Sequence, residues 1–469
     1  MASEVKELSE RFDVIVAGGG AAGAVAALAA ARTGAKTLVI EKLNCLGGNL
    51  TAGIMGTTWT FNDQEKVIVK GIPLEIIERL KKAGAVVSND VATDEFTIYD
   101  TELTKFLLFE MAEECGLHIL LHTFVSDALT EGDAVQGVVI QSKSGRQAVR
   151  GTVVVDASGD ADVAALAGAP FDLSAKDKLH PISLLCKIGN VDIEELAGYY
   201  KQHPEFKGNF THGRPHPGFH AFRLAGPLQE PYKKGLIPKA YEYLKDWFLL
   251  FYSTPRPREI ILNMTGGTQI DGTDAWQLTR GEVESRKLLL QAVDCFKRFV
   301  PGFKDAYIMS TALTAGVRET RRIRGEYMLT KEDVLSMRRF PDAVMSYNAP
   351  VVKHTAYGKD AIFILMPPGG ACDFPYRVMV PQKIENLLVA GRCISVAADT
   401  IGSTRNMTAC MALGQAAGTA AALSVRMKVR PRALDVTVLQ RELIRQGAHI
   451  VGVVCTTPLP ISVPQARRE

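Results

Sequence analysis

FDVIVAGGGAAGAVAALAAARTGAKTLVIE, from Phe12 to Glu41, is the stretch whose reading decides the fold. Phe12–Ala17 is a short apolar run of strand type, and Gly18-Gly19-Gly20-Ala21-Ala22-Gly23 follows it at once. An alanine-rich helical pattern then runs to Arg32, and Lys36–Ile40 supplies a second strand ending in Glu41. The result is a βαβ unit with GxGxxG at its first turn, the fingerprint of a dinucleotide site. Gly18 permits the tight turn, Gly20 lets the backbone approach a pyrophosphate, and Gly23 allows close packing of helix on strand. The helix N-terminus favours the anion. Glu41, 18 positions past Gly23, is placed to accept hydrogen bonds from the two hydroxyls of an adenosine ribose.

Outward from this unit, 469 residues with 47% hydrophobic content can bury large cores and point to two or three domains. The totals of 54 basic and 51 acidic residues nearly balance, so no global field favours nucleic acid or a membrane surface. The eight cysteines show no CxxC and no spacing of a zinc or iron–sulfur site; no metal is expected, and the cysteines read as reduced thiols. The first residues, MASEVKELSERF, are charged, and no apolar run approaches the roughly 18 residues of a membrane span. The expectation is a cytoplasmic protein without a membrane span.

The small-residue pattern continues past the fingerprint with Ala27 and Gly34. Val153–Asp160 (VVVDASGD) is an apolar strand running into a small turn, and Glu385–Arg392 (ENLLVAGR) is a late strand ending in glycine. With Arg318–Asp333, Phe374–Arg392 and Ser403–Ala422, these stretches make the chain resemble the FAD-dependent oxidoreductases of the glutathione-reductase and p-hydroxybenzoate-hydroxylase fold group. That resemblance implies FAD as cofactor. It implies contacts from Gly18, Gly20, Ala22, Gly23, Glu41, Lys42, Gly47, Gly48, Asn49, Val125, Ala157, Gly159, Asp160, Gly391, Arg392, Asn406 and Met407. Arg392 stands where many relatives of the wider fold group carry aspartate.

The expected class is α/β: a discontinuous Rossmann-type FAD-binding domain with an inserted mixed β-sheet substrate domain. Residues 1–165 form the first part of the FAD domain, 166–380 the substrate domain, 381–430 the return segment, and 431–469 a C-terminal helix and tail. Ile119–Val125 and Ala134–Ile140 alternate as antiparallel hairpins do. ISLLCKIG, REIILNM and AIFILMP read as strands of a sheet roofing the flavin, and Leu434–Gln446 as a helix stopped by Gly447. With one fingerprint only, the chain carries no separate NAD(P) domain.

Disulfide reductases of this fold carry a cysteine pair soon after the ribose acid; here Leu50 and Met55 occupy those places. Cys45 reads as a small buried thiol in preference to a covalent flavin link. What remains is hydride transfer between flavin N5 and a small organic substrate, anionic or oxygen-rich because arginines gather near the expected pocket. Arg405, just before Asn406-Met407, comes first as a catalytic candidate, since the resemblance places that helix start beside the flavin. Arg377 in FPYR could clamp a carboxylate, and His354 in VVKHTAY could move a proton, although Val352 stands where relatives often place a supporting Asp. Arg318–Arg324 reads as an interdomain ion-pair network. His212, His216 and His220 sit among prolines that forbid a metal-binding helix and read as a mobile lid. Trp247–Tyr252 (WFLLFY) reads as a buried strand. Two alternatives stand beside the leading one: fumarate-reductase-like reduction of an activated C=C bond, and a non-catalytic flavin-binding redox module. The electron acceptor (oxygen, a quinone or a partner protein) and the oligomeric state stay open.

Overall fold

The computed structural model describes residues 5–204, 218, 220–222, 225–239, 244, 249–348, 350–354 and 361–453. The first strand, β1 (Lys6–Ala17), is buried over Val14–Ala17 without alternation, the signature of a parallel strand covered on both faces. Helix α1 (Ala21–Arg32) follows, then β2 (Thr37–Ile40), which pairs parallel to β1 with Val14 opposite Thr37 and Ala17 opposite Ile40. Strand β3 (His118–Leu120) extends the sheet beyond β2. Strands β4 (Phe124–Glu131) and β5 (Ala134–Ser142) form a hairpin that leads into β6 (Gly145–Asp156). β6 lies parallel to β1 along its length, and its first half pairs antiparallel with β5.

A second sheet is built from β7 (Ile182–Gly189), β8 (His220–Phe222), β9 (Leu249–Ser253) and β10 (Ile260–Gly267). The 25-residue helix α2 (Ala275–Phe299) packs on β10 and β7, and β11 (Tyr307–Thr311) completes the sheet in the order β8-β9-β10-β7-β11. Asp274 caps α2 by accepting from the backbone N–H groups of Trp276 and Gln277. Every pairing in this sheet is antiparallel, so the mixed sheet of the α/β fold is the first one and the roof is not mixed. The run expected at Trp247–Tyr252 contributes β9, with Phe251 and Tyr252 fully buried. Phe251, Phe296 and Phe303 meet edge to face at 5.7–5.8 Å and centre the core under α2.

The chain then returns. Strand β12 (Leu387–Val389) pairs parallel with the second half of β6, and helix α3 (Met407–Met427) packs chiefly on α1. Glycine makes that crossing close: a methyl at Gly414 would collide with the Ala22 carbonyl oxygen, and one at Gly418 with that of Ala26. The small-residue stripe therefore fits α3 to a helix, and contact with the sheet at β1 and β6 is secondary. Residues Leu329, Ala343–Met345, Phe374, Tyr376 and Val378–Val380 join the core of β1, α1 and α3, whereas Cys186, Leu262, Leu289 and Phe296 belong to the roof core. The expected 166–380 unit is thus divided between two cores, because segments beyond Leu329 fold back under the first sheet's helices. The last described helix, Val436–Arg445, is capped by Asp435 and followed by Gly447 at φ +83°.

Candidate functional site

The turn after β1 is shaped by contacts that exclude side chains. Gly18 adopts φ +95°, and a methyl there would lie 2.7 Å from the Ala157 carbonyl oxygen. A methyl at Gly23 would strike the Gly18 carbonyl oxygen, so α1 can start this close to the turn only with glycine. Gly20 differs: a methyl on it would meet nothing within 4 Å, which means its outer face opens onto space. No side chain caps α1 and no acid lies in its first turn, leaving its first backbone N–H groups as donors toward that space. Glu41, only 6% exposed, accepts from Gly19 N at 2.7 Å with Oε2 and from Leu43 N at 2.8 Å with Oε1. Its remaining lone pairs are available to hydroxyl donors.

The open space is a cavity of about 400 Å³. Gly18, Gly20, Ala22, Glu41, Lys42, Gly48, Asn49, Val125, Ala157, Gly159, Asp160, Gly391, Arg392, Arg405 and Met407 all line it. Gly23, Gly47 and Asn406 stand behind this wall. Gly47 N donates to Gly19 O at 2.8 Å, and the Asn406 amide donates to Gly402 O and Ser403 O at 3.3 Å. The facing wall comes from the roof: Gly272, Leu278, Thr279, Glu282, Thr314 and Val317. None of these was singled out in the sequence, since nothing local marks a residue that reaches the first sheet across a tertiary gap.

Besides Lys42 on the cavity wall, the cations on and near that wall fall into two groups. In the first, each cation has a carboxylate. Arg392 pairs with Asp160 at 2.6 Å, and Thr320 donates to the same oxygen at 2.6 Å. Burial works to raise the Asp160 pKa, but the Arg392 guanidinium and these hydrogen bonds hold it below the ordinary value. Arg321 pairs with Asp162, Arg322 with Glu319, and Arg324 with Asp172, so this part of the arginine run is an ion-pair network. Burial, then the Asp160 and Asp156 charges, push the Asp162 carboxyl up to about 6 despite Arg321. In the second group, Arg405 and Arg318 have no carboxylate among the described residues. Arg318 donates only to the Pro181 carbonyl and the Ser183 hydroxyl, and the side chain of Arg405 makes no hydrogen bond, its Nε being buried without a partner.

Arg377 lies away from the cavity. It is exposed, forks onto Asp342 at 2.8 and 3.1 Å, and stacks 5.1 Å from the Tyr327 ring centroid, so its donors already have a carboxylate. His354 ends the strand Val351–His354 opposite Ala361, and its side chain lies outside the described residues, as do His212, His216 and the side chain of His220. Cys45 is buried with Sγ 3.8 Å from Thr51 Oγ1 and does not line the cavity. The seven described cysteines are all unbridged. Among the described residues no three His, Cys, Asp or Glu side chains gather as a metal site would require. The described helix long and apolar enough to cross a membrane is Met407–Met427, and it is the buried α3.

The donor set fits FAD: an open-faced glycine at a helix start, a buried acid after the second strand, and a cavity of about 400 Å³ between them and the roof. A family model described as FAD dependent oxidoreductase matches residues 13–443. Thiamine thiazole synthase of Methanococcus vannielii is 33% identical over 132 residues, covering 28% of this chain and 47% of that protein. Digeranylgeranylglycerophospholipid reductase 1 of Methanococcoides burtonii is 23% identical over 199 residues, covering 41% and 48%. The chain thus spans about half the length of these curated relatives. Among solved structures, a geranylgeranyl bacteriochlorophyll reductase-like protein from Thermoplasma acidophilum aligns over 94% of this chain and 84% of its own, at 14% identity and a TM-score of 0.48.

Proposed function

The chain belongs to the FAD dependent oxidoreductase family, and from that membership we propose that it transfers a hydride between FAD and a small organic substrate held under the roof. The observation that carries this reading is the two-walled cavity, with dinucleotide-binding chemistry on one side and an independent sheet on the other. When bound, FAD supplies the hydride acceptor or donor. The protein's part is binding, orientation and exclusion of water.

The N–H groups at the start of α1 bind the pyrophosphate, with Gly20 bare so that it can come close. Glu41 fixes the adenosine ribose, and its two backbone donors hold its carboxylate in place. The start of α3 at Met407 directs its dipole into the cavity from the other side. Leu278, Thr314 and Val317 close the roof and keep water from the reacting carbon. Arg405 orients the substrate from the cavity wall, its five donors unused by the described residues. Arg377 has no part in this reading, since Asp342 holds it at the surface.

The test is anaerobic mixing of FAD-loaded protein with a panel of hydroxy and amino acids, and of dithionite-reduced protein with unsaturated acids. Fading of the flavin colour in the first arm, or its return in the second, supports hydride transfer and gives its direction. Fully loaded protein that responds in neither arm would contradict the reading and favour a non-catalytic flavin module.

A further inference from the structure

Among the described residues, the arginines on the cavity wall and in the 318–324 run are matched with carboxylates, except two. Arg392, Arg321, Arg322 and Arg324 each have a carboxylate partner. Arg405 lines the cavity with Nε buried and unpartnered. Arg318, 9% exposed, follows the roof residue Val317 and donates only to neutral oxygens of Pro181 and Ser183. A guanidinium withdrawn from water without a counter-ion is unfavourable, and two such groups near one another are more so. The two sense each other: burial, then the Arg405 charge, push Arg318 down to about 9, and burial, with Arg392 adding to it, pushes Arg405 down to about 10. The nearby acid, Glu319, is already bonded to Arg322 and Ser174.

We propose that Arg318 and Arg405 form a carboxylate-binding subsite that holds the anionic end of the substrate against the roof. A planar carboxylate matches the guanidinium fork and supplies the missing negative charge. Arg405 offers all its donors, and Arg318 keeps three of its five N–H groups beyond the two bonds that anchor it. The FAD pyrophosphate is a poorer occupant, because its donors are at Gly18–Gly23 and the other arginine on the cavity wall, Arg392, is matched by Asp160. This subsite rests on the proposed function only for the identity of its ligand as substrate; anion binding is measured separately.

The experiment titrates FAD-loaded protein with acetate and malonate, using acetamide as the neutral control, and follows the visible flavin spectrum and the melting temperature. Acetate and malonate are expected to perturb the flavin band saturably and raise the melting temperature, and acetamide to do neither. Arg405→Met is expected to keep FAD, to weaken carboxylate binding at least about tenfold, and to melt higher than the parent in anion-free buffer, because it removes a buried charge and unpairs nothing. Arg318→Met is expected to weaken binding similarly, and Arg405→Lys to fall between. A parent protein indifferent to carboxylates, equal responses in all variants, or loss of FAD together with the anion response in Arg405→Met would each overturn the subsite. Carboxylate binding with neither flavin reduction by any acid nor reoxidation of reduced flavin by any unsaturated acid would instead leave the subsite standing and count against hydride transfer.

Discussion

At the residue scale, Gly18 and Gly20 separate what the fold needs from what the ligand needs. Gly18→Ala puts an L side chain at φ +95° and 2.7 Å from a carbonyl oxygen, and should cost about 1–3 kcal/mol by chemical denaturation. Gly20→Ala meets nothing within 4 Å, so stability without FAD should stay within about 0.5 kcal/mol while FAD binding is lost in a fluorescence titration. The acids give a pH signature. The Asp160 carboxyl is depressed, so its contribution is present above the unfolded pKa and is lost as pH falls through the lower folded value. The Asp162 carboxyl is raised to about 6, so its contribution is present below the unfolded value of 3.8 and is lost as pH rises through 6. Asp162→Asn should therefore flatten the stability profile between roughly pH 4 and 6, and Asp160→Asn should flatten the acid limb below it, both read from melting temperature against pH. The placement of Gly18, Gly20 and Glu41 on the cavity wall was legible in the sequence because it is set within one βαβ unit. The surroundings of Arg377 and Arg318 were not, since Asp342 claims one and no acid among the described residues claims the other, and both facts are tertiary.

At the element scale, the crossing of α3 on α1 connects packing to binding. Gly414→Ala gains helix propensity of about 1 kcal/mol but forces a methyl onto the Ala22 carbonyl. The net loss should be about 1–3 kcal/mol, and because Ala22 lies in the cavity wall, FAD affinity should fall with it. A surface control such as Gly116→Ala, whose methyl would meet nothing within 4 Å, should leave FAD affinity unchanged although its φ of +65° carries backbone strain. The stripe of small residues in Ser403–Ala422 reads as fitting a helix to the sheet, and the close approach is instead to α1. A sequence pattern fixes the width of a helix face, and only the folded chain decides which neighbour fills it.

At the scale of the whole molecule, the site exists because two separately cored layers face each other across one cavity. The α/β class and the returning β12–α3 segment could be read from the fingerprint and the late ENLLVAGR strand, whose apolar runs are local signals. The roof's antiparallel pairing and the folding back of Leu329, Ala343–Met345 and Val378–Val380 could not, because pairing partners lie far apart in sequence and alternation does not state orientation. A ligand spanning both layers should stabilise them together, by about 2.7 kcal/mol at a FAD concentration one hundred times its Kd, seen as one cooperative transition at higher temperature. The most direct measurement of the central claim is the anaerobic single-turnover bleaching of bound FAD by an acid that the panel identifies, compared with the same acid deuterated at its reacting carbon. The account predicts bleaching that is slower with deuterium, as the hydride leaves that carbon; bleaching that the label leaves unchanged, or neither bleaching of the oxidised protein by any acid nor recolouring of the reduced protein by any unsaturated acid, would contradict it.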